Sequence, residues 1–394
     1  MNQVATAATM RHINRSAILD LIREKEPISR SQLAHLLNLS LPTVMRIVED
    51  LMEEDLVRPS GASEATRGRP RSLLNFNGNA YAVIGVDLGG TKMVGALADL
   101  SGNIRHEIYL PHENGSDDHV ERLCELIEQL LNTPRPPGQR IRGVGVGAPG
   151  LTLSPEGTVI WAPSLNWRDL PLQKILTERF DLPVFVENDV NLAALGEWGF
   201  GAGRGANNLI CIAVGTGIGA GVMIGGSLFR GYHQGAGEIG YMLPGVQFLG
   251  RRHDQFGALE SLASGTGIAE RACQLLTEEG RHEEARGLTA EDVFNAARRD
   301  EMWAKKIVAE TADFLGLAVG NIASILDPEV VILGGGVAKS ADLLIPLILK
   351  RLEGVVPFLP RLVASPLDRR AAVMGAIVLV LNGTTEYYVV KRVH

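Results

Sequence analysis

The residues best equipped for chemistry sit in short glycine-bearing stretches. Asp87 ends an apolar run, Val83–Val86, and is followed by Gly89, Gly90, Thr91 and Lys92 before a second apolar run begins at Val94. Two glycines in a turn between strands let backbone N–H groups close on an anion, because no Cβ intervenes. Thr91 and Lys92 add a hydroxyl and a cation. Asp87 can hold a metal ion or position water beside a phosphate. A hairpin with a Gly-Gly turn is the alternative for the glycines alone. The stretch IAVGTGIGAG at 212–221 repeats the arrangement with Gly215, Thr216 and Gly217, about 130 residues on. This spacing suggests an internal duplication in which each half supplies one loop to a shared nucleotide cleft. Gly334, Gly335 and Gly336 follow the strand-like run Val330–Leu333, at the strand end where α/β sheets bind ligands.

Between the two halves lies VFVENDVNLAALGE. Asp189 follows a strand and opens a helix, with Glu187 and Asn188 beside it. Asn188 or Asp189 can serve as a helix N-cap. Asp189 can also accept the proton of a hydroxyl that attacks a γ-phosphoryl group. Sugars need several convergent polar groups. Asn188, the GAPG turn at 147–150, Asn166, Glu238 and Glu260 are candidates on the flanking loops.

These residues need elements to position them. From residue 81 the strand-like runs Val83–Val86, Val94–Leu97, Ile141–Val146, Val184–Val186, Leu209–Val214, Gly221–Ile224 and Val330–Leu333 interleave with helical ones. The helical runs are His119–Leu131, Val190–Trp198, Ser261–Leu276, Ala290–Ala297, Ala304–Leu326 and Ala341–Leu352. Interleaved periods define the α/β class.

The N-terminal part reads differently. Ile13, Ala17, Leu21 and Ile22 share a helical face, and a helix is expected over 13–25. A short helix capped by Ser29 or Ser31 follows, then a turn at 38–40. A third helix buries Val44, Ile47, Val48 and Leu51 and presents Thr43, Met45, Arg46, Glu49 and Asp50 outward. Helix, short helix, tight turn and helix fit a helix-turn-helix. Leu56-Val57 and Leu73 to Phe76 can pair as a wing. The segment between them carries Arg67 and Arg69, which suit a narrow minor groove, while Thr43 and Arg46 suit the major groove. A helical docking domain with a charged hinge is the other reading.

The chain has 394 residues and a formal charge of −7, too long for one ordinary core. Residues 1–75 hold ten Lys/Arg and nine Asp/Glu, a net +1, so the remainder carries −8. A neutral-to-basic head on an acidic body points to DNA binding joined to small-molecule binding. No apolar run reaches the roughly 20 residues of a membrane span, and no signal peptide is read. Cys124, Cys211 and Cys273 are scattered and odd in number, which suits reduced cysteines in a cytoplasmic protein.

DLGGTK (87–92), GVGAPG (145–150), VENDVNLAALGE (186–197), VGTGIGAG (214–221), GEIGY (237–241), GALE (257–260) and LGGGV (333–337), behind a helix-turn-helix, together resemble the ROK family of repressors, open reading frames and kinases. The resemblance spans nearly the whole chain and is to its NagC-, Mlc- and XylR-like regulators. GRPRSLLNF (68–76) is similar to the family's link between DNA-binding and sugar-binding parts. The fold implied is α/β: an N-terminal winged helix-turn-helix at 1–66, a linker at 67–80, and a two-lobed, actin-like sugar-kinase (ribonuclease H-like) ATPase body. Its lobes would be 81–200, extended by a C-terminal helix at 375–394, and 201–374. The resemblance gives Asp189 the role of kinase base and Asn166, Asn188, Asp189, Glu238, Tyr241 and Glu260 that of sugar ligands. Asp87, Gly89 to Lys92, Gly215 to Gly217 and Gly334 to Gly336 become nucleotide ligands. The implied function is a sugar-responsive regulator of carbohydrate genes, binding operator DNA and a sugar effector as a homodimer or tetramer. The alternative is an ATP- and Mg²⁺-dependent sugar kinase. Many members have a histidine where Tyr241 stands, followed by cysteines that bind structural zinc. Residues 242–257 contain no cysteine, His253 alone does not make a site, and no zinc is expected. No cofactor is expected for regulation and no membrane as partner.

Overall fold

The computed structural model describes residues 7–64, 71–89, 92–111, 118–154, 156–251 and 257–384. It opens with α1 (Ala7–Lys25), β1 (Ile28–Ser29), α2 (Arg30–Leu36), α3 (Leu41–Glu53), β2 (Val57–Glu64) and β3 (Arg71–Phe76). Ser29 caps α2 in a reciprocal box with Gln32. Ser40 caps α3 by accepting from the Thr43 amide, with Pro42 in the first turn, where no amide is missed. Between α2 and α3, Asn38 takes φ 52°, a conformation asparagine tolerates. Val44, Ile47, Val48 and Leu51 are buried as their spacing requires. The sheet order is β1-β3-β2, and β2 and β3 pair antiparallel as the wing. These strands run longer than the apolar residues at 56–57 and 73–76, because backbone pairing continues through polar side chains. Arg67 and Arg69 lie outside the described residues.

The body contains two sheets of the same design. The first has the order β11-β7-β4-β5-β6. It is made of β4 (Tyr81–Leu88), β5 (Lys92–Asp99), β6 (Ile104–Pro111), β7 (Arg140–Ala148) and β11 (Val184–Asn188), with α4 (His119–Leu131) and α5 (Leu172–Phe180). A side sheet, β8 (Leu151–Leu153), β9 (Thr158–Ala162) and β10 (Trp167–Leu170), stands beside it. The second sheet has the order β14-β13-β12-β15-β16. Its strands are β12 (Leu209–Val214), β13 (Ile218–Ile224), β14 (Ser227–Leu228), β15 (Val330–Gly334) and β16 (Arg361–Ala364). In each sheet an antiparallel meander is extended by two parallel strands on the side of its first strand. The duplication suggested by the paired glycine turns is therefore present in the topology.

Each sheet's last strand leads to a helix at the lobe boundary: α6 (Asp189–Phe200) after β11 and α13 (Ala371–Thr384) after β16. The C-terminal helix thus begins four residues earlier than expected. Residues 385–394 are outside the described part. The two helices cross backbone to backbone. A Cβ on Gly196 would lie 2.0 Å from the Ala371 carbonyl oxygen, and one on Gly375 would lie 1.7 Å from that of Leu192. α13 also rests on the first sheet, where a Cβ at Gly145 would meet the Ala376 carbonyl oxygen at 2.4 Å. Much of the glycine content thus serves close approach between helix and sheet.

The remaining helices belong to the second half: α7 (Glu260–Ala263), α8 (Gly265–Glu278), α9 (His282–Ala285), α10 (Ala290–Arg298), α11 (Met302–Leu326) and α12 (Ala341–Leu352). α11 is long and apolar enough to cross a membrane, yet it buries Ala304, Ile307, Leu315 and Val319 in the core of the second sheet, as the central helix of a globular core does. The winged head is not a separate bead. Ile18, Ile22, Val44 and Leu51 share one apolar cluster with Tyr81, Val83, Met374 and Ile377.

Candidate functional site

Strand ends from both sheets meet around a set of carboxylates. β4 delivers Asp87 to the edge of the cleft, where the turn closes with the Gly89 amide donating to the Lys92 carbonyl oxygen at 3.0 Å. Gly90 and Thr91 lie outside the described residues. Burial pushes the Asp87 carboxyl up to about 6, while the Lys92 charge pulls the other way. The Lys92 ammonium lies over the Tyr109 ring, 5.4 Å from its centre.

β11 delivers Asn188 and Asp189. Asn188 Oδ1 accepts from the amides of Val190 and Asn191, both at 3.0 Å, so it is the N-cap of α6. Its Nδ2 donates to the Gly150 carbonyl oxygen at 2.9 Å. That leaves one Nδ2 hydrogen for a ligand. Asp189 Oδ1 accepts from the Val190 amide at 2.9 Å. Burial, above all, raises its carboxyl to about 7; the negative charges of Asp87 and Glu238 add to this, and the Val190 amide opposes it.

Glu238 enters from the second sheet, on the segment after β14 and just before a short 3-10 turn, Ile239–Tyr241. Its carboxyl is raised by burial and by the charge of Glu260. Glu260 opens α7 and accepts from the Ile218 amide at 2.7 Å; its carboxyl too is raised by burial, against that bond. Tyr241 is 57 % exposed, and its hydroxyl is raised by burial and by Glu238 and Glu260. Asp87, Asp189, Glu238 and Glu260 therefore form a chain of mutually repelling acids from both sheets. Such a set offers acceptors to a neutral ligand rich in hydroxyls, and its shifted carboxyls suit proton exchange near neutral pH.

The second glycine loop is built against Glu260. The Gly215 amide donates to the Gly217 carbonyl oxygen at 2.9 Å, and the Gly215 carbonyl oxygen accepts from the Gly265 amide at 2.7 Å. The Thr266 hydroxyl donates to the Thr216 carbonyl oxygen at 3.2 Å. A Cβ on Gly217 would sit 2.6 Å from Glu260 Oε2. The third loop adjoins it: Gly335 has φ 79°, and a Cβ there would lie 2.5 Å from the Val214 carbonyl oxygen. Gly336 has open space around it. Asn166 is exposed on a left-handed turn at φ 54° between β9 and β10.

Two buried carboxylates, one beside the cleft and one further along α6, have partners that sequence spacing does not reveal. Glu187 is 1 % exposed. Its Oε2 takes Arg230 Nε and an Arg230 Nη, both at 2.7 Å, and its Oε1 takes the Asn188 amide and Asn191 Nδ2, both at 3.0 Å. Glu197, at 0 % exposure, accepts from the Ala202 amide at 2.8 Å and from the Ser365 hydroxyl. In the head, the Thr43 hydroxyl is held by Ser40 at 2.7 Å, whereas Met45 and Arg46 stand exposed on α3. Among the described residues no group of three or more His, Cys, Asp or Glu is arranged to hold a metal ion; His253 lies outside them.

A winged helix-turn-helix joined to a duplicated two-lobed body of the actin-like, sugar-kinase type is the class these observations define. Residues 83–382 match the ROK family model and residues 11–58 a winged helix-turn-helix DNA-binding model, and the chain belongs to the ROK family. It is 30 % identical over 388 residues to a xylose repressor of Caldicellulosiruptor bescii, covering 95 % of this chain and 96 % of that one. It is 36 % identical over 310 residues to a glucokinase of Halalkalibacterium halodurans, covering 76 % and 93 %. Among solved structures it resembles a ROK family transcriptional regulator, a homologue of the E. coli Mlc protein, with a TM-score of 0.83 at 26 % identity over 95 % of this chain and 97 % of that one. A ROK glucokinase from Streptomyces griseus in complex with glucose and AMPPNP matches with a TM-score of 0.67 at 30 % identity, over 77 % of this chain and all of that one.

Proposed function

We propose that this protein is a sugar-responsive transcriptional regulator, a repressor of carbohydrate uptake or catabolism genes, acting in the cytoplasm. The observation that carries the reading is the apolar cluster that continues from the winged head into the first sheet and α13. It ties a DNA-binding element to a body whose cleft lies between two halves. In this reading 1–66 is the head, 67–80 the link, and 81–200 with the C-terminal helix and 201–374 the lobes. The sugar hydroxyls are taken by Asp189, Glu238 and Glu260, by the free hydrogen of Asn188, and by Tyr241 and Asn166 as the cleft closes. Two heads in a homodimer, or in a tetramer, grip half-sites about one helical turn apart. Arg46 and Thr43 face the major groove, and Arg67 and Arg69 the minor groove. A sugar that binds the closed lobes better than the open ones shifts the heads between DNA-competent and incompetent spacing. Gel-shift titration of DNA from beside its own gene, with and without D-xylose and D-glucose, tests this. No retarded fragment under either condition would sink it.

A second reading, sugar phosphorylation, is favoured by the Asp189 carboxyl, raised to about 7 by burial and by the charge of Asp87, together with glycine turns after β4, β12 and β15. Asp189 would accept the proton of the attacking hydroxyl, and the turns at Asp87–Lys92, Gly215–Gly217 and Gly334–Gly336 would carry the nucleotide phosphates of ATP. Mg²⁺ accompanying ATP would neutralise phosphate charge, and the buried carboxyl of Asp87 is the residue that would hold it. ADP release with D-glucose, repeated on Asp189→Asn, tests this reading; turnover unaffected by the substitution would remove Asp189 as the base.

A further inference from the structure

The strand that leads into Asp189 and the loop that carries Glu238 come from different lobes, yet an ion pair joins them. Glu187 lies one residue before Asn188 and two before Asp189, in β11. Arg230 follows β14, and its carbonyl oxygen accepts from the Ala236 amide at 3.0 Å, closing the loop that leads to Glu238. The loop is fixed to β13 as well, since the Ala220 amide donates to the Gly237 carbonyl oxygen at 2.7 Å. Glu187 is buried and all its bonds converge: two from one guanidinium across the lobes, two from its own lobe. The Arg230 side chain, 30 % exposed, is the cross-lobe part of this set.

We propose that Arg230 is a positioning residue: through Glu187 it clamps the β11–α6 junction to the Glu238 loop and thereby sets the spacing of the two halves of the sugar site. This rests on the sugar-binding reading above. A fork that reaches one carboxylate with two nitrogens fixes orientation as well as distance, which a lysine ammonium does not reproduce. Loss of the clamp leaves Asp189 and Glu238 intact but no longer held in register for one ligand, and convergent hydrogen-bond sites lose affinity steeply with small displacements.

The test uses the full chain and the variants Arg230→Gln and Glu187→Gln/Arg230→Gln. The single variant strands a buried carboxylate and is expected to fold less well; the double variant removes both charges and is expected to regain the melting temperature. Binding of D-xylose and D-glucose is measured by calorimetry. Amide exchange at Val190 and Ala236, one on each side of the pair, is measured without sugar. The expected result is a tenfold or greater loss of sugar affinity that persists in the double variant, with exchange at both amides at least fivefold faster. A purely structural role predicts that the double variant binds sugar as the wild type does, and that result overturns the proposal, as does unchanged exchange. If the wild type binds neither sugar while exchange accelerates, the sugar reading fails and the clamp stands.

Discussion

The hydroxyl of Tyr81 lies 3.4 Å from the carbonyl oxygen of Glu54, so the first strand of the body touches the residue that ends the third helix of the head. Arg140 donates to the same hydroxyl at 2.9 Å, and Arg142, whose guanidinium lies 4.8 Å from the centre of the Tyr81 ring, bonds to Thr384 at the end of α13. Tyr81→Phe removes the hydroxyl and leaves the ring. It should cost about 1 kcal/mol in chemical denaturation. Operator affinity without sugar should stay within threefold, while the sugar-induced change in that affinity shrinks. A gel shift with and without sugar separates these effects.

The raised carboxyls of Asp87 and Asp189 make a pH prediction with a definite sign. Their folded values, about 6 and about 7, lie above the ordinary 3.8. Folding therefore retains protons that the unfolded chain releases. The stability this contributes is complete below about pH 4 and is lost as pH rises to about 7. Asp189→Asn should flatten the fall in melting temperature between pH 5 and pH 8 and raise it at pH 8, a difference on the order of a few kcal/mol. A fall as steep in the variant as in the wild type would rule the carboxyl out as its source.

The crossing of α6 and α13 leaves no room for a methyl group at Gly375, where a Cβ would stand 1.7 Å from the Leu192 carbonyl oxygen. Backbone must move to admit it. Gly375→Ala should destabilise by roughly 3 kcal/mol. Gly336→Ala, with nothing within 4 Å of the added atom, should stay within about 0.5 kcal/mol. Urea midpoints of the two variants provide the comparison.

Arg46 is exposed on the outer face of α3. If α3 lies in the major groove, Arg46→Ala should weaken operator binding by about 1–3 kcal/mol, roughly fivefold to 150-fold, and relax the sequence preference at one base pair per half-site. Met45→Ala, beside it, tests whether apolar contact contributes. Sugar binding by either variant, measured by calorimetry, should match the wild type.

Where the sequence was readable, the physics was local. Ser40, Pro42 and the stripe Val44, Ile47, Val48, Leu51 announce α3, and the runs at 83–86 and 330–333 announce buried strands. β6 escaped because Arg105, His106 and Glu107 are exposed in succession and only Ile104, Ile108 and Leu110 are half-buried, without a continuous apolar run. β8, β9 and β10 are short, at three, five and four residues, and β16 has only four. α5, at Leu172–Phe180, has only Leu172 and Leu176 buried. Gly145, in the GVGAPG stretch, accommodates α13, a close approach that local spacing does not announce. Asp189, Glu238 and Glu260 could be named from their motifs, while Arg230 could not, because its partner is 43 residues away.

The apolar cluster shared by the head and the body has an evolutionary consequence. A head attached by a free tether could be gained or lost in one genetic step. Here, deletion of residues 7–64 would take Ile18, Ile22, Val44 and Leu51 out of the cluster that holds Tyr81, Val83, Met374 and Ile377, and would leave the Tyr81 hydroxyl without the Glu54 carbonyl oxygen. Passage between a free-standing kinase and a regulator of this design therefore involves the packing around Tyr81 as well as the gain or loss of a head.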